Sequence, residues 1–303
     1  MSCKVCIRNA FPDFTYSEAT VMTAKENQTS PGTGLILTHK QDGVTTLTMN
    51  NPARLNGWTK EMMDALNDGF RIAAQDDETR VLILTGADPY YCAGVNLAAT
   101  LQPGHPRKLH AMIAKLNQAL FDTFLDFPKP LLVAINGPAI GASVTSATLC
   151  NGIIASDRAT FLTPFTALSV PPEGCSSVHF ARIMGEENAT RMLGEEGWKP
   201  TAEEALEAGL IQWLAPHDKL QEEANRIAQE WIASGAQRGF RAGSTRDELK
   251  AINARESADL ADAFLSTPFI KAQFKFLKSK KKWGPAAMFL AMLISRPLWS
   301  RLL

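Results

Sequence analysis

This 303-residue sequence lacks the features of several specialised protein classes. Its 31 basic and 31 acidic residues give a formal net charge of zero, so no overall positive charge favours a nucleic-acid partner. No apolar run reaches the roughly 20 residues that a membrane-spanning helix needs, and the best candidate, residues 286–294, is too short. The first residues show no secretory signal pattern. We therefore expect an intracellular protein with no nucleic-acid partner and no stable membrane insertion.

Cysteine and histidine are too scattered to indicate a metal site or a disulfide framework. The five cysteines are odd in number and irregularly spaced, which favours a reduced protein. Cys3 and Cys6 are close in sequence, but no second pair supports them and a zinc site needs about four ligands. We therefore expect no metal. The histidines are each assigned to the surface or the core: His39, His105, His110, His179 and His217.

The pattern of apolar residues predicts an α/β fold. Gln41–Gly43 has the composition of a hairpin turn, and Thr59 is a candidate helix cap. Because predicted strands and helices alternate up to about residue 160, we expect right-handed β–α–β units and a largely parallel sheet. Strands are predicted at 35–39, 44–49, 81–85, 131–135 and 152–155, and a loop or short strand at 161–170. Helices are predicted at 60–75, 107–125, 142–150, 176–184, 186–194, 201–208 and 217–233, with a short amphipathic one in the tail.

One stretch has the composition of a binding site for negative charge. The predicted strand Leu131–Ile135 ends at a turn, Asn136–Pro138, and Gly141, Ala142 and Ser143 then begin a predicted helix. Small residues let a ligand approach the backbone, and the first N–H groups of a helix carry partial positive charge. This stretch can therefore hold an oxyanion, although tight helix–sheet packing would use the same small residues.

Four segments, in this order, are similar to loops of one known family: Asn51–Gly57, Tyr91–Leu97, Asn136–Ala142 and Ala155–Phe161. Together they resemble the enoyl-CoA hydratase/isomerase (crotonase) superfamily over about residues 34–280. The first is similar to the adenine-side loop, the second and third to the two oxyanion loops, and the fourth to the passage out of the next strand. Residues 155–177 are most similar to the peroxisomal-type Δ3,Δ2-enoyl-CoA isomerases.

The resemblance implies a crotonase-like spiral of β–β–α units with a C-terminal helical trimerisation region. We expect a flexible lead at 1–32, the spiral core with an acyl-CoA site at 33–200, a helical region at 201–282, and a tail of unassigned role at 283–303. The implied partner is an acyl-CoA thioester substrate, and the implied assembly is a homotrimer or hexamer. No cofactor is expected, since coenzyme A is part of the substrate.

The resemblance also places the catalytic groups. The two N–H groups on the thioester oxygen would be those of Val95 and Ala142, and Glu173 stands where the isomerases have their single acid. The family's hydratases have two catalytic Glu residues, and this sequence has Thr145 and Phe165 at those positions. We expect the apolar surroundings of Glu173 to raise its pKa, and we expect Cys92 and Cys175 to be packing residues.

By the same resemblance, coenzyme A binding is assigned to residues of the first two loops and of the helix start. Lys278, Lys280, Lys281 and Lys282 form a basic run that is either a solvated face or a contact to the coenzyme A phosphate. The binding residues are Arg54, Leu55, Gly57, Ala93, Gly94, Val95, Asn96, Leu97 and Gly141.

Three functions remain open from the sequence. The first is a Δ3,Δ2-enoyl-CoA isomerase of fatty-acid β-oxidation, in which one carboxylate moves a proton from C2 to C4. The second is a non-catalytic acyl-CoA-binding protein of the same fold, and the third is another crotonase reaction such as weak enoyl-CoA hydration. The resemblance suggests the peroxisome, but Arg301–Leu303 is not a Ser-Lys-Leu-type signal, so cytoplasm and mitochondrion stay open.

Overall fold

The computed structural model describes residues 34–95 and 104–302. The predicted lead with Cys3 and Cys6, and the predicted binding residues Asn96 and Leu97, lie outside the described residues. Eight strands are described, and they confirm the predicted α/β class. They are β1 (Ile36–Gln41), β2 (Val44–Met49), β3 (Val81–Gly86), β4 (Leu131–Ile135), β5 (Ala139–Ile140), β6 (Gly152–Ser156), β7 (Phe161–Leu162) and β8 (Trp213–Ala215).

Ten α-helices are described in the same ranges. The first four are α1 (Lys60–Gln75), α2 (Pro106–Asp126), α3 (Ala142–Thr148) and α4 (Phe165–Leu168). The others are α5 (Ser176–Leu193), α6 (Ala202–Glu207), α7 (Leu220–Ala233), α8 (Arg246–Phe264), α9 (Thr267–Ser279) and α10 (Trp283–Trp299). None of the described helices is long and apolar enough to cross a membrane.

Six strands form the main sheet in the order β1-β2-β3-β4-β6-β8. The hairpin β1–β2 is antiparallel and the remaining pairs are parallel, as predicted. Asp42 and Gly43 both have positive φ angles, 50° and 81°, which is the backbone twist that a two-residue hairpin loop needs. β5 and β7 form a separate parallel pair, and it lies beside the candidate site described below.

The central strand β4 is buried on both faces, which explains its continuous apolar sequence. Leu132 and Ala134 pack with apolar residues of α7, including Ala224 and Ile227. The alternate residues of β4, among them Val133, belong to the largest core cluster. Burying both faces holds the carboxyl end of β4 in place, and that end is the starting point of the predicted second oxyanion loop.

The C-terminal helices form a second layer around the site. α8 packs along α2, and Asn253 of α8 donates to the Asp122 carboxylate of α2 over 3.0 Å. Asn117 of α2 donates to the Ser257 hydroxyl of α8 over 3.1 Å. α9 and α10 share an apolar cluster with the first turns of α2, in which the rings of Phe264 and Phe269 stack at 4.5 Å.

Some short elements differ from the predicted ones, and one predicted helix break is confirmed. Residues 161–170, predicted as a loop or short strand, contain β7 and the one-turn helix α4. β5 and β8 were not predicted, because each has only two or three residues and is defined by the neighbouring strand with which it pairs. The predicted break between the helices 176–184 and 186–194 falls at Gly185, where φ is 80° within α5.

Candidate active site

Two loops are held side by side at the end of β4. A parallel bridge joins Cys92 and Ala139, in which the Ile140 N–H donates to the Cys92 carbonyl over 3.0 Å. The Ser143 hydroxyl of α3 donates to that same carbonyl over 3.2 Å. These bonds fix the segment Ala93–Val95 against the start of α3, so the two predicted oxyanion loops are brought together.

One N–H group from each loop points into the space between the two loops, because each N–H lies opposite the carbonyl group of the same planar peptide. The Trp58 N–H donates to the Gly94 carbonyl over 2.8 Å, and in a trans peptide the following N–H, that of Val95, points the opposite way. The Val144 N–H donates to the Gly141 carbonyl over 2.9 Å, so the Ala142 N–H points out of the helix start. As the first residue of α3, Ala142 has no intrahelical acceptor.

Both positions before these N–H groups require glycine. Gly94 has a φ of 81°, and a Cβ there would stand 2.6 Å from the Ile140 carbonyl oxygen. Gly141 has a φ of 61° and a ψ of −127°, a combination that is open essentially to glycine alone. The glycines therefore set the directions of the two N–H groups as well as leaving room for a ligand.

Glu173 is presented by a tightly constrained turn. Gly174 has a φ of 67°, and a Cβ there would stand 2.4 Å from the Phe121 ring and 2.6 Å from the Thr145 hydroxyl. The Ser176 hydroxyl donates to the Glu173 carbonyl over 2.7 Å. The turn is thus pressed against α2 and α3, and Glu173 lines the same cavity as the two predicted oxyanion loops.

The two loops and Glu173 open into one cavity of about 400 Å³. Its apolar wall comes from α2, α4, α8 and α9, and includes Ile113, Leu116, Phe165, Leu260 and Phe264. Among the described residues that line it, Glu173 is the only carboxylate, and Arg54 and Lys282 are the cations. The cavity therefore combines an apolar chamber, two free N–H groups and a single acid.

The pKa of Glu173 is raised from 4.5 to about 8, which confirms the expected direction. Removal of the carboxyl group from water is the largest cause, because apolar walls cannot solvate the charged form. The nearby carboxyl group of Glu256 raises the pKa further. Part of the side chain faces the open cavity, so solvent in the cavity tempers this shift. A Glu with such a pKa can both take and return a proton near neutral pH.

Most of the predicted site residues lie together around this cavity. Leu55 is placed behind the loop, where its carbonyl accepts a hydrogen bond from the Ala93 N–H over 3.0 Å. Lys282 of the basic run lines the cavity, whereas Lys278 lies over the ring of Phe274. The predicted residues that line the cavity are Arg54, Gly57, Ala93, Gly94, Val95, Gly141, Ala142 and Glu173.

Thr145 and Phe165, the two positions at which a hydratase of this family would have a catalytic Glu, have no acidic side chain here. Thr145 is fully buried, and its hydroxyl donates to the Ala142 carbonyl over 3.3 Å. Phe165 adds an apolar ring to the cavity wall. The arrangement at these two positions therefore has no group that can activate a water molecule.

Cys92 and Cys175 are buried packing residues, as expected. Burial raises the pKa of the Cys92 thiol to about 12 and raises that of Cys175 as well, so both stay protonated and unreactive at neutral pH. Cys92 serves the loop by accepting a hydrogen bond from the Gly94 N–H over 3.3 Å. Burial lowers the pKa of His179 to about 4, and no described histidine lines the cavity.

The sequence did not reveal Glu256 or the parts of the apolar wall that come from α2, α8 and α9. Glu256 is 3% exposed on α8, and its carboxylate accepts hydrogen bonds next to Glu173. A helical period in α2, α8 and α9 indicates a buried face, but it does not say whether that face meets the core or a cavity. Within the described ranges, no group of three or more His, Cys, Asp or Glu side chains could hold a metal ion.

Comparison with known proteins identifies the family. A family model described as enoyl-CoA hydratase/isomerase matches residues 39–273. The crystal structure of an enoyl-CoA hydratase/isomerase from Pseudoalteromonas atlantica T6c has a TM-score of 0.67 at 25% identity, covering 81% of this chain and 97% of that one. The chain therefore belongs to the enoyl-CoA hydratase/isomerase family, and it has the crotonase fold.

Within the family, the chain is similar to proteins named as isomerases and to one named as a chromodomain protein. Human enoyl-CoA delta isomerase 2 is 35% identical over 269 residues, covering 84% of this chain and 66% of the human protein. Mouse enoyl-CoA delta isomerase 3, peroxisomal, is 32% identical over 262 residues, covering 82% and 79%. Human chromodomain Y-like protein is 29% identical over 253 residues, covering 81% and 42%. The chain thus spans less than two thirds of the human isomerase's length.

Proposed function

We propose that the chain is a Δ3,Δ2-enoyl-CoA isomerase, which converts a 3-enoyl-CoA into the conjugated 2-enoyl-CoA. The observation that carries the proposal is the single carboxylate of Glu173 in an apolar cavity that also receives two free N–H groups. Moving a double bond by one position needs a proton removed at C2 and a proton added at C4. One carboxylate can do both.

In this mechanism the thioester oxygen accepts hydrogen bonds from the N–H groups of Val95 and Ala142. The Glu173 carboxylate takes the proton from C2, and the electrons of that C–H bond delocalise into a dienolate whose charge lies on the thioester oxygen. The protonated Glu173 then delivers its proton to C4, which leaves a C2–C3 double bond in conjugation with the carbonyl. Two fixed donors are worth several kcal/mol to the dienolate, since one such donor contributes about 2.7–4 kcal/mol in other enzymes.

The raised pKa of Glu173 supports its double role. With a pKa of about 8, about one molecule in ten has Glu173 ionised at pH 7. That fraction is sufficient for a base, and the protonated form is a weak enough acid to be formed from an activated C2–H group and strong enough to return the proton.

The charges at the cavity suit the other end of the substrate. Arg54 is exposed on the loop after β2, and Lys282 lies where α10 begins. Both cations line the cavity and are available to the phosphates of coenzyme A, which leaves the apolar wall to the acyl chain. The proposal thus assigns Arg54, Gly57 and the Ala93–Val95 segment to coenzyme A and the thioester.

Hydration is the less favoured reaction, because the buried Thr145 and the apolar Phe165 cannot deliver water to C3. A non-catalytic acyl-CoA-binding protein is the second candidate. It is favoured by the similarity to chromodomain Y-like protein, whose name states no reaction. Glu173 separates the two candidates, since binding alone has no use for a carboxylate buried in an apolar chamber.

A peroxisomal location and a homotrimer belong to the same proposal. The location rests on the mouse relative, which is named as peroxisomal. The trimer rests on the family resemblance alone, and sedimentation of the purified protein tests it.

The test is the conversion of a purified 3-enoyl-CoA, followed by the ultraviolet absorbance of the conjugated product. Glu173→Gln keeps the size and polarity of the side chain but removes the base, so we expect the rate to fall by at least a thousandfold with coenzyme A binding retained. Glu248→Gln is the matched control, because Glu248 is partly exposed on α8 and pairs with Arg182 away from the cavity. Binding of acyl-CoA by the wild type without conversion would favour the binding protein.

A further inference from the structure

A second carboxylate lies behind the acid turn. Glu256 of α8 is 3% exposed. Its carboxylate accepts hydrogen bonds from the Cys175 N–H over 2.6 Å and from the Ser177 N–H over 3.0 Å. The Ser177 hydroxyl donates to it as well. The three donors hold this buried acid in one position and offset part of the cost that burial places on its charged form.

These donors are the first groups of α5, directly after the Glu173 turn. Cys175 is the N-cap residue of α5 and provides no side-chain cap. Glu256, which lies 81 residues further along the chain than Cys175, takes that place, and negative charge at a helix start is stabilising. The turn that presents Glu173 is therefore tied to α8 rather than capped from its own segment.

α8 is in turn fixed to α2, which forms part of the same cavity wall. The Asn253 amide donates to the Asp122 carboxylate over 3.0 Å, and the Asn117 amide donates to the Ser257 hydroxyl over 3.1 Å. Asn253 and Ser257 flank Glu256 on α8. The acid turn, α8 and α2 thus form one connected hydrogen-bonded unit.

The charges around Glu173 are few. Arg54 and Lys282 line the cavity on the solvent side, and Glu256 acts from α8 and raises the pKa of Glu173. Burial raises the pKa of Glu256, and the hydrogen bonds from Ser177 and Cys175 and the charge of Arg255 on α8 lower it in part. Burial also raises the pKa of Cys175, as do the charges of Glu256 and of Asp122 on α2. No described side chain donates a hydrogen bond to the Glu173 carboxyl group, whereas Glu256 has three donors. Of the two acids, Glu256 is therefore the one that ionises first as the pH rises.

We propose that Glu256 is a positioning residue of the reaction: it anchors the turn that presents Glu173 and places a fixed negative charge behind it. This inference rests on the proposed isomerase function. The fixed charge raises the pKa of Glu173, so its carboxylate is a stronger base and proton removal from C2 is favoured. The anchor holds the carboxyl group between C2 and C4.

The experiment measures the titration of Glu173 directly, without relying on activity. Protein labelled with carbon-13 at the Glu carboxyl is titrated by NMR, and Glu173→Gln identifies the Glu173 signal. In Glu256→Gln we expect the midpoint to fall by on the order of one pH unit, because a neighbouring negative charge is removed. Glu256→Asp keeps the charge and should keep the midpoint, while the shorter side chain lowers kcat. Glu248→Gln, on the same helix, should leave midpoint and kcat unchanged.

Ser177→Ala is a milder variant in case Glu256→Gln does not fold. It removes one donor to the charged form of Glu256, which raises the pKa of Glu256 and leaves part of the Glu256 population neutral while Glu173 titrates. The Glu173 midpoint should therefore fall by a smaller amount. A midpoint that is the same in Glu256→Gln or Ser177→Ala as in the wild type would overturn the inference, since a mere structural support would lower kcat alone. A lowered midpoint in a protein that converts no 3-enoyl-CoA would establish the charge coupling and overturn the proposed function.

Discussion

Gly94→Ala tests whether the oxyanion loop has the geometry described. The Gly94 carbonyl accepts a hydrogen bond from the Trp58 N–H over 2.8 Å, and the Val95 N–H points the opposite way into the cavity. A Cβ at Gly94 would stand 2.6 Å from the Ile140 carbonyl oxygen. Since that oxygen is backbone held beside α3, the loop must move, and the Val95 N–H moves with it.

Two separate losses are expected from this substitution. Alanine at a φ of 81° costs about 1–2 kcal/mol of the free energy of unfolding. Misplacing one of two oxyanion donors costs about 2.7–4 kcal/mol in the transition state, which lowers kcat by about a hundredfold to a thousandfold. The second loss is specific to catalysis, because the dienolate alone places a full negative charge on the thioester oxygen.

Gly197→Ala separates the two losses. Gly197 has a φ of 59° and open space around its Cβ position, so the substitution imposes similar backbone strain without a clash or a contact to the cavity. Unfolding in urea should show the strain of about 1–2 kcal/mol in Gly197→Ala and at least that much in Gly94→Ala. Steady-state kinetics with a 3-enoyl-CoA should show a large loss of kcat in Gly94→Ala alone. Wild-type kcat in a folded Gly94→Ala protein would refute the assignment of the Val95 N–H.

Three further results are expected. First, the pKa of Glu173, raised to about 8, predicts that kcat/KM rises with pH and levels off above about pH 8. Because the folded form holds this proton more tightly than the unfolded form, the free energy of unfolding should also fall between about pH 4.5 and 8. Urea unfolding should show a smaller fall with pH in Glu173→Gln than in the wild type. Second, Ile113→Trp should narrow the apolar chamber and lower the ratio of kcat/KM for long 3-enoyl-CoAs to that for short ones by about tenfold or more. Ile72→Trp, on the exposed face of α1, should leave this ratio unchanged. An unchanged ratio in Ile113→Trp would mean that the acyl chain lies elsewhere. Third, Arg238 donates to the Phe124 and Leu149 carbonyls at the ends of α2 and α3. Arg238→Leu should therefore lower the free energy of unfolding by about 3 kcal/mol. A loss below about 0.5 kcal/mol would contradict the view that Arg238 stabilises these two helix ends.

The elements with strong local signals were predictable from the sequence. The strand Leu131–Ile135 has the predicted bounds, because an apolar run of this length between Pro130 and Asn136 is short for a helix and typical of a buried strand. Thr59 accepts the hydrogen bond from the Met62 N–H that a helix cap needs. The glycines at 94 and 141 and the acid at 173 were predicted through the family resemblance, since their spacing alone is common among α/β proteins.

The remainder depends on contacts between distant parts of the chain. β8 has three residues and is a strand only because the edge of β6 lies beside it. Glu256 has the sequence context of an ordinary helix residue, and its burial arises where α8 meets the start of α5. The apolar wall likewise combines α2, α4, α8 and α9, whose meeting point no local period can predict.

The most direct test of the account compares wild type, Glu173→Gln and Glu248→Gln for conversion of a 3-enoyl-CoA to the 2-enoyl-CoA, together with acyl-CoA affinity. The account predicts rapid conversion by wild type and Glu248→Gln, a loss of at least a thousandfold in Glu173→Gln, and similar affinities for all three. A Glu173→Gln protein that isomerises at the wild-type rate would contradict the central claim that this single carboxylate moves the proton.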